Sequence, residues 1–173
     1  GLNSAYRDTI SIYKLSGNQQ VAASEIVYAE YNSNSNQSIP YNALTIVDFD
    51  TKISDTHNAV TTGASWKFTA PVTGFYNIST EITYSWVAVV TTYGGHRQLR
   101  LTKNGTTIKL ADNTVQVGHT GVGHVPLSGQ TYLSKGDTID VRCYQDSGSG
   151  ATAIPLDANT GVFISISKIG GIA

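Results

Sequence analysis

Charge is the first shortage. Asp, Glu, Lys and Arg make up only 13% of the 173 residues, about half the usual share. The 11 basic and 12 acidic side chains leave a formal net charge of −1. No basic stripe exists to neutralise phosphates, so nucleic acid is not an expected partner. Cysteine occurs once, as Cys143, and no disulfide can close within the chain. Ile139 and Val141 share its face of an alternating segment, which predicts a buried, inert thiol. Methionine is absent, so Gly1 is not a start-codon product and the chain is expected to be processed or excised from something longer. No apolar run approaches the roughly 18–20 residues that cross a bilayer. The amino terminus also lacks the charged-then-apolar pattern of a signal peptide, so no membrane insertion is expected.

Ser, Thr, Asn and Gly replace the missing charge, giving the polar but uncharged surface of an extracellular or virion protein. Hydrophobic residues reach 40%, and the length suits one domain with a full core. Gly63 to Trp86 organises the rest. Tyr76, Ile78, Thr80, Ile82, Tyr84 and Trp86 fall on one face of a strand and Asn77, Ser79, Glu81, Thr83 and Ser85 on the other, a period of two. Pro71 and Gly74 hinge it to the preceding strand.

Along the chain, Ser24 to Tyr31 and Ala43 to Asp50 read as strands, separated by a solvated Asn/Ser loop from Asn32 to Ser38. Gln98 to Lys103 alternates with Leu99 and Leu101 inward, and Asn104-Gly105 is the strongest short hairpin signal. Asp112-Asn113 reads as a turn, and Val115 to Val125 is punctuated by glycine. Ser134 to Asp137 turns into Thr138–Tyr144, with Ile139, Val141 and Cys143 inward and Asp140 and Arg142 outward. Val162 to Ile169 is the last strand. The expectation is an all-β chain of eight to ten strands without helix. Residues 1–24 form an amino-terminal stem or extra strand, and 25–173 the head domain.

The order of these segments resembles the complement C1q globular head, within the tumour necrosis factor-like superfamily. Phe68-Thr69-Ala70-Pro71-Val72-Thr73-Gly74-Phe75-Tyr76 is similar to that family's F-x-x-P-x-x-G-x-Y signature. Leu101-Thr102-Lys103-Asn104-Gly105 matches its L-x-K-N-G hairpin. Leu133 to Val141 matches L-x-x-G-D-x-V-x-V, with Ile139 in place of the first valine. Gly161-Val162-Phe163-Ile164 stands where the family has F-x-G-F, without the glycine between phenylalanines. The resemblance spans about residues 24 to 170, and no Gly-X-Y collagen tract accompanies it. It implies a ten-stranded jelly-roll sandwich with its ends close together, assembled as a homotrimer.

The candidate chemistry is sparse. His119 and His124, five apart, point to opposite faces of an extended chain. With His57 and His96 they read as surface or core histidines rather than a zinc site. No metal site is expected. Some members of the superfamily bind calcium, which keeps the loop residues Asp48, Asp50, Asp55, Asp112, Asp137, Asp146 and Asp157 in view, although none sits in an EF-hand loop. No G-x-S-x-G elbow supports a hydrolase. The sequons at Asn36, Asn77 and Asn104 are expected by chance in so Asn-, Ser- and Thr-rich a chain. Tyr93, His96 and Arg97 beside Gly94-Gly95 offer stacking, hydrogen bonding and charge on one loop, and are the expected receptor-binding residues.

The expected function is non-enzymatic: a trimeric head of a bacteriophage fibre, spike or capsid decoration on the virion surface, binding a host surface glycan or protein or other virion proteins. A bacterial surface or spore-coat adhesin head and a soluble necrosis-factor-like ligand are the alternatives.

Overall fold

The computed structural model describes residues 25–85, 95–115, 122–146, 154–155 and 161–170. In chain order the strands are β1 (Tyr28–Asn32), β2 (Ser38–Ile39), β3 (Thr45–Ile46), β4 (Thr51–Asp55), β5 (Val60–Thr61), β6 (Lys67–Thr69), β7 (Gly74–Ser85), β8 (Gly95–Lys103), β9 (Thr106–Val115), β10 (Val122–Leu133), β11 (Thr138–Gln145), β12 (Ile154–Pro155) and β13 (Phe163–Gly170). There is no helix among the described residues. The thirteen segments exceed the expected ten because β2, β3, β5 and β12 are two-residue pairings.

The first sheet runs β10-β7-β13-β1-β4 and the second β5-β6-β11-β8-β9, with β3 also on β11. All the pairings are antiparallel. The alternating strand is β7, which lies between β10 and β13 in the first sheet. Tyr76, Ile78, Thr80, Ile82 and Tyr84 are buried, while Phe75, Asn77, Ser79 and Glu81 lie outward. They meet Phe68, Leu99, Leu101, Ile139, Val141 and Cys143 from the second sheet in one core. Residues 1–24, Trp86 and His119 lie outside the described residues.

The Tyr84 hydroxyl is a polar group bonded inside this core. It crosses the sandwich to the Gln98 carbonyl at 3.3 Å and the Tyr144 carbonyl at 3.2 Å. Burial raises its pKa well above the ordinary 10. Cys143 is fully buried as expected, and burial pushes its thiol up to about 12, so it stays protonated and unreactive.

The Pro71–Gly74 hinge does not close a hairpin. It carries the chain from β6 in the second sheet to β7 in the first. Gly74 is needed there for space: a Cβ would collide with the Gly170 carbonyl oxygen and stand 2.7 Å from Lys168 Cε. The glycine of the F-x-x-P-x-x-G-x-Y pattern thus lets β7 and the end of β13 close together.

Two other motif segments prove to be one structure. Asn104 (φ 50°) and Gly105 (φ 79°) form the β8–β9 turn, and the left-handed backbone of both explains the Asn-Gly pair. Asn104 Nδ2 donates to Asp137 Oδ1 at 2.8 Å, and Asn104 Oδ1 accepts from the Thr138 N–H at 2.8 Å. Asp137 Oδ2 accepts from the Ser134 N–H at 2.8 Å and faces Lys103 Nζ at 2.9 Å. The Asn104 amide first, then Lys103 and the Ser134 N–H, hold the Asp137 pKa at about 2, below its ordinary 3.8. A depressed folded-state pKa contributes stability that is complete above the ordinary value and lost as pH falls through the folded one. Urea melts across a pH series are therefore expected to show Asp137→Asn less stable than wild type at neutral pH. The gap should close as pH falls from about 4 to about 2.

Several segments differ from the sequence reading. Ala43 to Asp50 pairs regularly only at Thr45–Ile46, although Val47 and Phe49 are fully buried. The Gln37 amide straps this stretch instead, donating to the Ile46 carbonyl at 2.7 Å and accepting from the Asp48 N–H at 2.9 Å. Asp112-Asn113 is not a turn: it pairs with Gln98 and Arg97 inside β9. From Val122 the glycine-punctuated stretch runs on to Leu133 as one strand, β10, where Pro126 is accommodated because β10 is an edge strand among the described residues.

Candidate functional site

The outer face of the second sheet carries the densest cluster of functional groups. Alternation that buries Ile139, Val141 and Cys143 turns Arg142 and Tyr144 outward on β11, while Asp140 on the same face is buried. On β8, burial of Leu99 and Leu101 turns His96, Gln98 and Arg100 outward. Register sets Arg142 opposite Arg100 and Tyr144 opposite Gln98, and across β9 sets Leu110 opposite Arg100 and Asp112 opposite Gln98.

These side chains form a continuous network. His96 Nδ1 lies 3.1 Å from an Asp112 carboxylate oxygen, and Gln98 Nε2 donates to Asp112 Oδ2 at 3.2 Å. Arg100 donates to Gln98 Oε1 from Nε at 3.2 Å and Nη2 at 2.6 Å. Its guanidinium stands 5.8 Å over the Tyr144 ring, and the Tyr144 hydroxyl donates to Asn42 Oδ1 at 2.7 Å. Arg142 grips Asp140 through Nε–Oδ1 at 2.7 Å and Nη2–Oδ2 at 3.1 Å, which raises the Arg142 pKa. Exposed Leu44, Tyr41, Ile108 and Leu110 add apolar surface on the same molecule. A planar array of fixed hydrogen-bonding groups beside apolar patches is suited to binding rather than to bond making.

Of the three expected receptor-binding residues, Tyr93 lies outside the described residues. His96 is exposed at the start of β8 and belongs to this network. Arg97 does not stand on an exposed loop: it is 1% exposed and its guanidinium lies 5.4 Å over the buried Tyr84 ring. The strand begins at Gly95, so the alternation that turns Leu99 and Leu101 inward turns Arg97 inward too. Burial lowers its pKa to about 10 against the opposing influence of Tyr84. Arg97 joins sheet to sheet and presents no charge to a receptor. Sequence reading does not reach Arg100 and Tyr144, nor the place of Asp112 beside them, because neither alternation nor composition reveals which strands are neighbours.

Asp157 lies outside the described residues, and other candidates are committed elsewhere. Asp55 accepts hydrogen bonds from the Tyr31 hydroxyl and the His57, Ala59 and Val60 N–H groups. Asp48 accepts from the Gly63 N–H at 2.8 Å and Asp50 from the Asn34 N–H at 2.8 Å. Among the described residues no three His, Cys, Asp or Glu side chains converge to hold an ion. A groove of about 460 Å³ lies between Glu30, Asn32, Gly161 and Phe163, without a cluster of titratable groups.

Two hydroxyl–imidazole–carboxylate trios resemble catalytic relays and fail chemically. Thr83 Oγ1 and Glu81 Oε1 both contact His124 Nδ1, at 3.1 and 2.9 Å. Both contacts fall on one ring nitrogen, so the imidazole cannot pass a proton between them. His57 does contact Thr56 through Nδ1 and Glu25 through Nε2, each at 2.8 Å. The Thr56 hydroxyl, however, is tied to the β1 backbone: it accepts from the Tyr28 N–H at 3.1 Å and lies 3.2 Å from the Ile26 carbonyl. It lengthens the β1–β4 pairing and is not poised as a nucleophile.

No protein-family profile and no curated protein sequence matches the chain. Solved structures do. The globular domain of zebrafish complement 1qA superposes with a TM-score of 0.60 at 15% identity, covering 84% of this chain and 99% of that one. Eiger TNF from S. frugiperda gives 0.60 at 14% identity, covering 86% and 95%. Murine APRIL at pH 5.0 gives 0.55 at 14% identity, covering 84% and 100%. At such identities the likeness is one of architecture, and the chain is an all-β jelly-roll sandwich similar to the complement C1q head and to tumour necrosis factor-type ligands.

Proposed function

We propose that the chain is a non-enzymatic attachment module: the homotrimeric head of a bacteriophage fibre, spike or capsid decoration, displayed on the virion surface and binding a host surface glycan or protein. The observation that carries this reading is the contrast between the outer faces of the two sheets. On the first sheet, Gln130, Asn77 and Ser167 lie in one cross-strand row and Ser128, Ser79 and Ser165 in the next. Phe75 packs on Tyr132 at one end, ring centroids 5.3 Å apart, and Phe163 sits opposite Glu81 at the other. Across β10, β7 and β13 the side chains between these aromatic ends are short and uncharged, with Glu30 of β1 next to Ser165, a surface on which identical subunits can approach closely. The second sheet turns Arg100, Arg142, Tyr144, His96 and Asp112 outward, and this is the face for the ligand.

The low charge of the chain, its lack of intrachain disulfides and the resemblance to a trimeric superfamily support the same reading. Light scattering on the purified chain is expected to give three times the 18.4 kDa subunit mass. The labelled trimer is expected to bind cells of a bacterial host and to compete with adsorption of the parent particle. A particle that stays single at high concentration, or a trimer that binds an animal-cell receptor and no bacterial surface, overturns it.

A further inference from the structure

We propose that Arg100 anchors a binding site for the carboxylate of an acidic saccharide, a sialic or uronic acid, lying across the outer face of the second sheet. The inference rests on the reading that this face is the one turned to the ligand, and it names the ligand's chemistry.

Its starting point is a pairing that sheets avoid. Arg100 and Arg142 stand directly opposite on neighbouring antiparallel strands, both outward, where like charges destabilise the sheet. The two guanidiniums turn in opposite directions, each toward the residue two positions back on its own strand. Arg142 finds the carboxylate of Asp140. Arg100 finds only the neutral amide of Gln98, and it makes no ion pair among the described residues.

Arg100 is also held in place. Gln98 is oriented by Asp112, which takes its amide N–H and so directs its carbonyl at the guanidinium. The Tyr144 ring lies beneath, itself fixed through Asn42. Gln98 occupies the Nε and Nη2 side, which leaves the Nη1 and Nη2 end. That end is a two-donor edge of the geometry a carboxylate accepts. A side chain already immobilised loses little further freedom when it binds.

The surroundings select the rest of the ligand. Asp112 and Asn42 are planar acceptors for hydroxyl groups on either side of Arg100. Leu110, directly across β9 and 49% exposed, and Leu44, 47% exposed, supply aliphatic surface for ring faces. From β9 across β8 and β11 to β3 the face spans about 14 Å at the usual strand spacing, more than one sugar ring. A flat face of fixed side chains suits a stiff ring polymer better than an acidic peptide, which docks in grooves or along free strand edges.

The test is calorimetric titration of the purified chain with sialyllactose, with a glucuronic-acid-containing tetrasaccharide, and with lactose as the uncharged control. At least one acidic sugar is expected to bind about tenfold or more tightly than lactose. Arg100→Lys keeps the charge but not the fork, and is expected to weaken that binding about ten- to hundredfold, as is Arg100→Gln. His124→Ala on the opposite sheet should leave it unchanged, and unaltered thermal melts show that the variants fold. Equal affinity for lactose, equal affinity of wild type and both Arg100 variants, or no binding of either acidic sugar overturns the inference. A trimer that binds host cells but neither sugar overturns it alone and leaves the attachment reading standing. A chain that binds neither cells nor sugars overturns both.

Discussion

Replacing Trp66 with alanine is expected to lower the unfolding free energy by about 3–5 kcal/mol, read from urea denaturation at neutral pH. Trp66 is fully buried. Its indole meets Phe49 edge-on with centroids 5.0 Å apart and Tyr31 at 6.2 Å. Truncation leaves a cavity whose walls belong to β1 and to the irregular stretch after β3, which has few ladder bonds to resist collapse or unravelling. A second variant separates ring packing from polarity. The indole N–H is buried with no acceptor among the described residues, and an unsatisfied buried donor costs about 1–3 kcal/mol. Trp66→Phe gives up volume but removes that donor, so it should cost far less than Trp66→Ala. Equal costs for the two variants would show that the N–H has a partner after all.

Removing the Asp55 carboxylate comes next, at about 1.5–3 kcal/mol for Asp55→Ala. One oxygen accepts from the His57 N–H at 3.2 Å and the Ala59 N–H at 3.0 Å. The other accepts from the Val60 N–H at 3.2 Å and the Tyr31 hydroxyl at 3.0 Å. This carboxylate closes the turn from β4 to β5, in which Asn58 adopts a left-handed φ of 48°. Asparagine is not expected to rescue the loss, because its amide would point a donor at backbone donors. Burial first, and then Asp55, push the Tyr31 hydroxyl up to about 12. Spectroscopic titration should therefore find it returning toward the ordinary 10 in Asp55→Ala. A double-mutant cycle with Tyr31→Phe should show the two residues coupled rather than additive.

The architecture was legible wherever burial on one face imposed a period of two. Tyr76 to Tyr84, Leu99 to Leu101 and Ile139 to Cys143 each declare which side is inward, and Asn104-Gly105 declares a hairpin through backbone conformation alone. Legibility failed where pairing overrode local preference. Asp112 and Asn113 favour turns, yet β8 holds them in a ladder. Thr51–Asp55 carries an exposed Ile53 and an unremarkable composition, and it is a strand because β1 pairs with it. Pro126 and Gly129 disguise β10, whose place at a sheet edge tolerates both. Arg97 misled through its charge, although the parity of its own strand turned it inward. The cluster on the outer face of the second sheet was hidden for a related reason. Gln98, Arg100, Arg142 and Tyr144 are each identifiable as outward, but their meeting depends on β8 and β11 being neighbours in one register. Residues separated by some forty positions carry no local mark of that.

Tyr28 lies against Ser167 in the β1–β13 ladder, roughly 140 positions later in the chain. At about 5–20 residues per second, the ribosome takes on the order of 10–30 s to deliver the last strand after the first has emerged. Throughout that interval β1 offers one row of backbone groups to whatever strand arrives. On a polysome, the nearest candidate is β13 of a sister chain. Exchange of β13 between nascent subunits is thus the assembly error to which this topology is most exposed, and slow translation would aggravate it.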